Sequence, residues 1–348
     1  MALISATPPP PQVRARGPVS SAPTRARFPM RKSYAALDLG TNNCRMLIAR
    51  PEGEGFFIVD AFSRIVRLGE GLGANGVLSD TAMDRAVAAL SICADKLRRR
   101  NVHLARSVAT EACRRARNGE DFVDRVYRET GIKLDVISPE EEAHLAVMGC
   151  HKLLEPGNGL ALVFDIGGGS TELAVVDTSG DEPRTLDWIS VPWGVVSLAE
   201  SEAIDEVCLS TRLAAYARMR ERVHGSFKAF ANRQAASIDG LRLLGTSGTV
   251  TTLASVYLKL PSYDRRQIDG LIVPSEAMRD ISQKLSHMSV AERAVLPCIG
   301  HERADLVVAG CAILEAILDI WPASRVGVAD RGIREGILRQ LMKSGAGQ

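Results

Sequence analysis

From Tyr34 onward the chain sets short apolar runs against polar, glycine-bearing turns and longer stretches of helical periodicity. Ala35 to Leu37 leads into the turn Asp38-Leu39-Gly40-Thr41-Asn42-Asn43 and out into Met46 to Ala49. Leu160 to Phe164 leads into Asp165-Ile166-Gly167-Gly168-Gly169-Ser170-Thr171 and out into Leu173 to Val176. Each reads as strand, tight polar turn, strand. One such hairpin is an ordinary β-turn; the same device repeated in register, once per half of the chain, argues for two copies of one unit. Phe56 to Val59 and Ile65 to Leu68 supply further strand material. Ser79-Asp80 opens a helix whose apolar positions Met83, Val87, Leu90, Ala94 and Leu97 recur at spacings of four and three, and which ends in the cations Lys96 to Arg100. Ser107 to Ala109 is a short strand, Phe122, Val126 and Tyr127 mark another helix, and Leu241 to Leu244 is a strand that turns at Gly248-Thr249. Strands followed by helices, more than once, predict an α/β fold.

The segment Ser138-Pro139-Glu140-Glu141-Glu142-Ala143 predicts a helix start, with Ser138 as N-cap, Pro139 as first helical residue and Glu141 as the reciprocal capping acid. Glu140 is explained by the positive helix end. Glu142 has no such structural task. It lies ahead of Leu145, Val147 and Met148 at the junction of the two halves, where a half-buried carboxylate would keep a raised pKa or a fixed geometry suited to deprotonating water.

The 348 residues suit about two domains, and 46% hydrophobic residues suffice for sizeable cores. No apolar run approaches the roughly 20 residues needed to span a bilayer, so no membrane association is expected. Seven scattered cysteines without a Cys-x-x-Cys pair indicate neither a zinc site nor a disulfide framework, and a reducing cytoplasm is the simplest home. Six of the 43 basic residues and none of the 41 acids fall within residues 1–32. That Pro- and Arg-rich leader reads as disordered, and the remainder is mildly acidic. Nonspecific nucleic-acid binding is thereby disfavoured, and an anionic substrate must be met by a local basic cluster. The two turns are suited to that: an acid leaving a buried strand fits a solvated divalent cation, and the small residues after it let backbone N–H groups reach phosphate oxygens.

Seven motifs in order carry a family resemblance from about Tyr34 to Leu341: Asp38-Leu39-Gly40-Thr41-Asn42 with Arg45, Ala109-Thr110 through Arg114, Glu141-Glu142-Ala143, Asp165 through Glu172, Gly245-Thr246-Ser247-Gly248-Thr249, Arg303-Ala304-Asp305, and Gly332 through Leu338. The chain resembles the exopolyphosphatase and guanosine pentaphosphatase family, a branch of the actin-like superfamily, in its short two-domain form. The resemblance implies two ribonuclease H-like lobes, each a mixed five-stranded sheet flanked by helices, with the active site in the cleft between them. The expected divisions are a leader at 1–32, a first lobe at 33–144 and a second at 145–348, whose final helix packs back on the first.

By the same resemblance Glu142 is the catalytic base and Arg114 the phosphate-binding arginine. Gly40, Thr41, Asn42, Asn43 and Arg45 form one phosphate loop, and Gly167, Gly168, Gly169, Ser170 and Thr171 form the other. Gly248 and Thr249 match the position that binds adenosine in ATP-using relatives. Asp165, Glu172 and Asp38 match acids associated with Mg²⁺ or Mn²⁺. The implied reaction is hydrolysis of the terminal phosphoanhydride of inorganic polyphosphate; the alternatives are guanosine pentaphosphate (pppGpp) as substrate and, more distantly, a non-catalytic actin-like nucleotide-binding regulator, against which Glu142 with Arg114 argues. A homodimer is expected. Three residues depart from the family pattern: Glu111, usually Ser, Thr or His; Pro139, commonly Gly; and His144, usually Arg.

Overall fold

A computed structural model describes residues 32–348 apart from 54, 156–158, 181, 203–207, 235–240 and 346–348, so the expected leader, but for Lys32, lies outside the described residues. The first sheet holds β1 (Tyr34–Leu39), β2 (Asn43–Glu52), β3 (Gly55–Ile65), β4 (Leu104–Ala109) and β5 (Leu134–Val136) in the order β3-β2-β1-β4-β5. The β1, β2 and β3 run is antiparallel, and β4 and β5 extend it in parallel. The second sheet repeats this plan with β6 (Leu160–Ile166), β7 (Thr171–Asp177), β8 (Arg184–Val191), β9 (Arg242–Thr246) and β11 (Arg325–Ala329). It has six strands and not the expected five, because β10 (Ile272–Pro274) adds an antiparallel edge to β11.

Alternation along β1 sends Ala35, Leu37 and Leu39 to one face and Tyr34 and Ala36 to the other. The first group packs with Val87, Leu90, Phe122 and Val126 from the helices Asp80–Arg99 and Gly119–Thr130. The second group meets Leu145 and Ala146 of the helix Pro139–Cys150 and Ile337 and Leu338 of the helix Ile333–Gly345. Val147 and Cys150 of the Pro139 helix instead join Val163, Ala174, Val176 and Leu244 of the second sheet. The Pro139 helix is therefore wedged between the sheets. It touches the C-terminal helix so closely that a Cβ at Gly149 would lie 2.0 Å from Gly332 O, and one at Gly336 2.2 Å from Leu145 O. The second sheet's outer face is covered by Leu209–Gln234, Gly248–Tyr257 and Val307–Ile320, around the fully buried Trp321.

Two local expectations are corrected. The Phe56 and Ile65 runs join into one strand ending at Ile65; Val66 and Leu68 are buried, but their backbone turns away because Val66 N and Arg67 N both donate to Asn42 O, at 2.9 and 3.0 Å. Ser138 does cap its helix, its Oγ accepting from Glu141 N at 3.1 Å. Glu141 is not the reciprocal cap. Its carboxylate goes to Arg106 on β4, at 2.6 Å, a partner distant in sequence.

Candidate active site

Both repeated turns close with the same bond: Gly40 N donates to Asn43 O and Gly167 N to Ser170 O, each at 2.9 Å. Strand register then fixes the neighbour of each acid, Arg45 opposite Asp38 and Glu172 opposite Asp165. The turns abut. A Cβ on Gly168 would stand 2.9 Å from Asn42 N, and one on Gly169 2.6 Å from Thr41 Oγ1, so only glycine permits this approach. Three buried polar atoms at this junction lack a hydrogen-bond partner among the described residues: Asp38 Oδ1, Thr41 Oγ1 and Asn42 Oδ1. Unpaired groups of that kind call for a ligand or water.

An open cleft with about 120 Å³ of water-accessible space runs over the turns. It is lined by Asp38, Gly40, Thr41, Asn42, Asn43 and Arg45 from the first lobe, by Asp165, Gly167, Gly168, Gly169 and Ser170 from the second, by Gly248 and Thr249, and by Glu142. Three expected residues are not on its wall. Thr171 is buried, its hydroxyl donating to Trp193 O at 2.6 Å. Glu172 sits behind the turn, its Oε1 accepting from Ser190 Oγ at 2.7 Å. Arg114 stands at the edge, engaged by its own neighbours.

Glu142 is 7% exposed at the first turn of the Pro139 helix. Arg114 Nη2 reaches its Oε2 at 3.2 Å and the Glu111 Oε2 at 2.8 Å, while Nη1 donates to Ile137 O at 2.6 Å. The departure at Glu111 thus places a second acid on Arg114. Pro139 occupies the first helical position, and His144 is exposed.

Burial pushes the Glu142 carboxyl well above the ordinary range, the Glu172 charge adds to this, and Arg114 opposes it. Burial, with Asp38 adding, pushes Asp165 up to about 6; burial, with Asp165 adding, takes Glu172 to about 7 against the hydroxyls of Ser190 and Ser170. Asp38 is raised by burial and pulled back by Arg45 and Arg334. A concentration of acids that resist ionisation is what an added cation would relieve. Among the described residues no three His, Cys, Asp or Glu side chains form a ready-made metal cluster. The orphaned Asp38 Oδ1 and the neighbouring Asp165 fit a divalent cation that takes its other ligands from substrate and water.

Several lining residues were not singled out from sequence. Ser247, at φ +105°, caps the helix Gly248–Tyr257 through its Oγ, and Arg303 reaches Thr252 Oγ1 at 3.1 Å from a stretch with no regular periodicity. Each had one sequence signal, Ser247 as a member of the Gly245-Thr246-Ser247-Gly248-Thr249 motif and Arg303 as the head of Arg303-Ala304-Asp305.

Two sheets of one topology, meeting through paired glycine turns at a cleft floored by a buried glutamate, are the frame of an actin-like phosphohydrolase. More narrowly, the chain belongs to the Ppx/GppA phosphatase family, whose model matches residues 47–345. It is 28% identical over 314 residues to a Haemophilus influenzae protein provisionally named an exopolyphosphatase, covering 90% of this chain and 92% of that protein. It is 30% identical over 309 residues to the guanosine-5'-triphosphate,3'-diphosphate pyrophosphatase of Aliivibrio fischeri, covering 88% of this chain but only 59% of that longer protein. Its fold matches the crystal structure of the Aquifex aeolicus Ppx/GppA family member with a TM-score of 0.73 and 26% identity, over 90% of this chain and 98% of that one.

Proposed function

We propose that this protein hydrolyses the terminal phosphoanhydride of inorganic polyphosphate and releases orthophosphate. The observation that carries this is the buried Glu142 carboxylate, 3.2 Å from Arg114, in a cleft bounded by two glycine turns. Glu142 orients and deprotonates the attacking water, its raised basicity suiting it to take the proton. Arg114 and the turn N–H groups hold the equatorial oxygens of the transferred phosphoryl group as charge builds there. Because Arg114 is engaged by Glu111 and Glu142 before substrate arrives, the incoming phosphate takes over part of an existing ion-pair network. Asp38 and Asp165 would hold Mg²⁺ or Mn²⁺, which would supply neutralisation of phosphate charge. The chain's own contribution is mainly positioning.

A second reading, removal of the 5′-terminal phosphate of guanosine pentaphosphate, is supported by the 30% identity to the Aliivibrio protein of that activity class. One assay separates them: phosphate release from short polyphosphate, long polyphosphate and guanosine pentaphosphate, each with Mg²⁺ and with excess EDTA. Polyphosphate is expected to be the faster substrate, and EDTA to abolish release. Release from guanosine pentaphosphate alone would overturn the first reading, and full activity in EDTA would overturn the role given to the cation.

A further inference from the structure

On the side of the C-terminal helix, a second, small hollow with about 40 Å³ of water-accessible space lies between the ends of β9 and β11 and the start of the helix Ile333–Gly345. It shares Asp38, Arg45, Asp165, Ser247 and Ile333 with the main cleft, so the two abut at the floor of the site. Most charges around it are matched. Arg331 pairs with Asp269 at 2.7 Å, Asp330 with Arg265 at 3.2 Å, and Glu335 is held by Arg265 and by Gly332 N, each at 2.9 Å. Four lining residues are the exceptions: the guanidiniums of Arg45 and Arg334 and the carboxylates of Asp38 and Asp165 make no hydrogen bond or ion pair with a described residue. Burial draws the Arg334 pKa down, against the pull of Glu335 and with Arg45 adding to the effect.

Two guanidiniums facing one small hollow without partners are costly unless an oxyanion joins them, and their planar forks suit phosphate oxygens. Asp38 and Asp165 on the shared wall offset part of the positive charge. That balance favours a small oxyanion of low charge over a polyanionic tail. We propose that this hollow is a subsite for a single orthophosphate ion, gripped by Arg45 and Arg334, which receives the released product beside the main cleft. The product role rests on the hydrolytic reading above. Phosphate leaving by this route would not have to pass the shortened chain in the main cleft.

The test is calorimetric titration of inorganic phosphate into the full chain at neutral pH without divalent cation, comparing the unaltered protein with Arg334→Gln and Arg334→Lys. Arg334→Gln is expected to weaken phosphate binding about tenfold or more, and Arg334→Lys, which keeps the charge but loses the fork, by less. Circular dichroism checks that each variant is folded; Arg334→Lys carries the test if the glutamine variant is not. Binding by folded Arg334 variants equal to that of the unaltered protein, or no binding by the unaltered protein, overturns the subsite. A chain that binds orthophosphate through Arg334 yet releases none from polyphosphate would overturn the hydrolytic reading and leave the oxyanion subsite standing.

Discussion

In the proposed reaction Glu142 is the base, and its isostere is the direct test. Glu142→Gln keeps size and helix position but cannot take a proton, so kcat should fall on the order of 100-fold or more with substrate affinity nearly kept. Near-normal kcat would sink the assignment. Only the ionised carboxylate is a base, and burial raises its pKa, so kcat/KM should rise with pH through the region where Glu142 titrates. The burial of Glu142 was legible in the sequence because the capping residues around it were accounted for and it was not. Glu141 was half legible: its backbone N–H takes the Ser138 cap, but its side chain answers to Arg106. Arg106 comes from β4 and is paired with Asp135 as well, a non-local arrangement that no local pattern shows. Glu141→Gln should cost at most about 1 kcal/mol in urea unfolding and leave kcat unchanged, since the pair is partly exposed.

At the scale of elements, the hairpins were readable because apolar runs, acid and glycine recur in the same order, and the structure sets both acids at equivalent register positions. The sixth strand was not. Ile272–Pro274 is three residues long and ends in proline, too short for alternation to register, and it exists only because β11 offers an edge. The packing of the final helix on the first lobe was expected, but the close backbone approach of the Pro139 and C-terminal helices was hidden, since a helical glycine shows no sign in sequence of the backbone that will press against it. Gly336→Ala puts a methyl group into the Leu145 carbonyl. It should destabilise the protein by about 1–3 kcal/mol, measured by denaturant midpoint at unchanged m-value. An unaltered midpoint would mean that the helices separate more easily than their contact implies.

For the whole molecule, the buried acids tie stability to pH and to cations. Asp165 and Glu172 have folded pKa values near 6 and 7, above their ordinary 3.8 and 4.5, so the folded state holds protons that the unfolded state gives up. Their contribution is complete below those ordinary values and is lost as pH rises through the folded ones, roughly from pH 4 to 7, on the order of 3 kcal/mol for each group. Thermal melts without metal should show a higher Tm near pH 5 than near pH 8 in a matched-salt series. Mg²⁺ should raise Tm more at pH 8, where the acids are ionised and better ligands. A Tm that climbs steadily with pH, or a cation effect larger at pH 5, would contradict this. The same architecture bears on biosynthesis. The sheet assembled from Tyr34 onward is closed on one face by Ile337 and Leu338, which leave the ribosome among the last residues of the described fold. A nascent chain must therefore carry an open apolar surface until Ile337 and Leu338 have been made. Premature termination before Ile333 would leave that surface uncovered, making such fragments candidates for chaperone capture or aggregation.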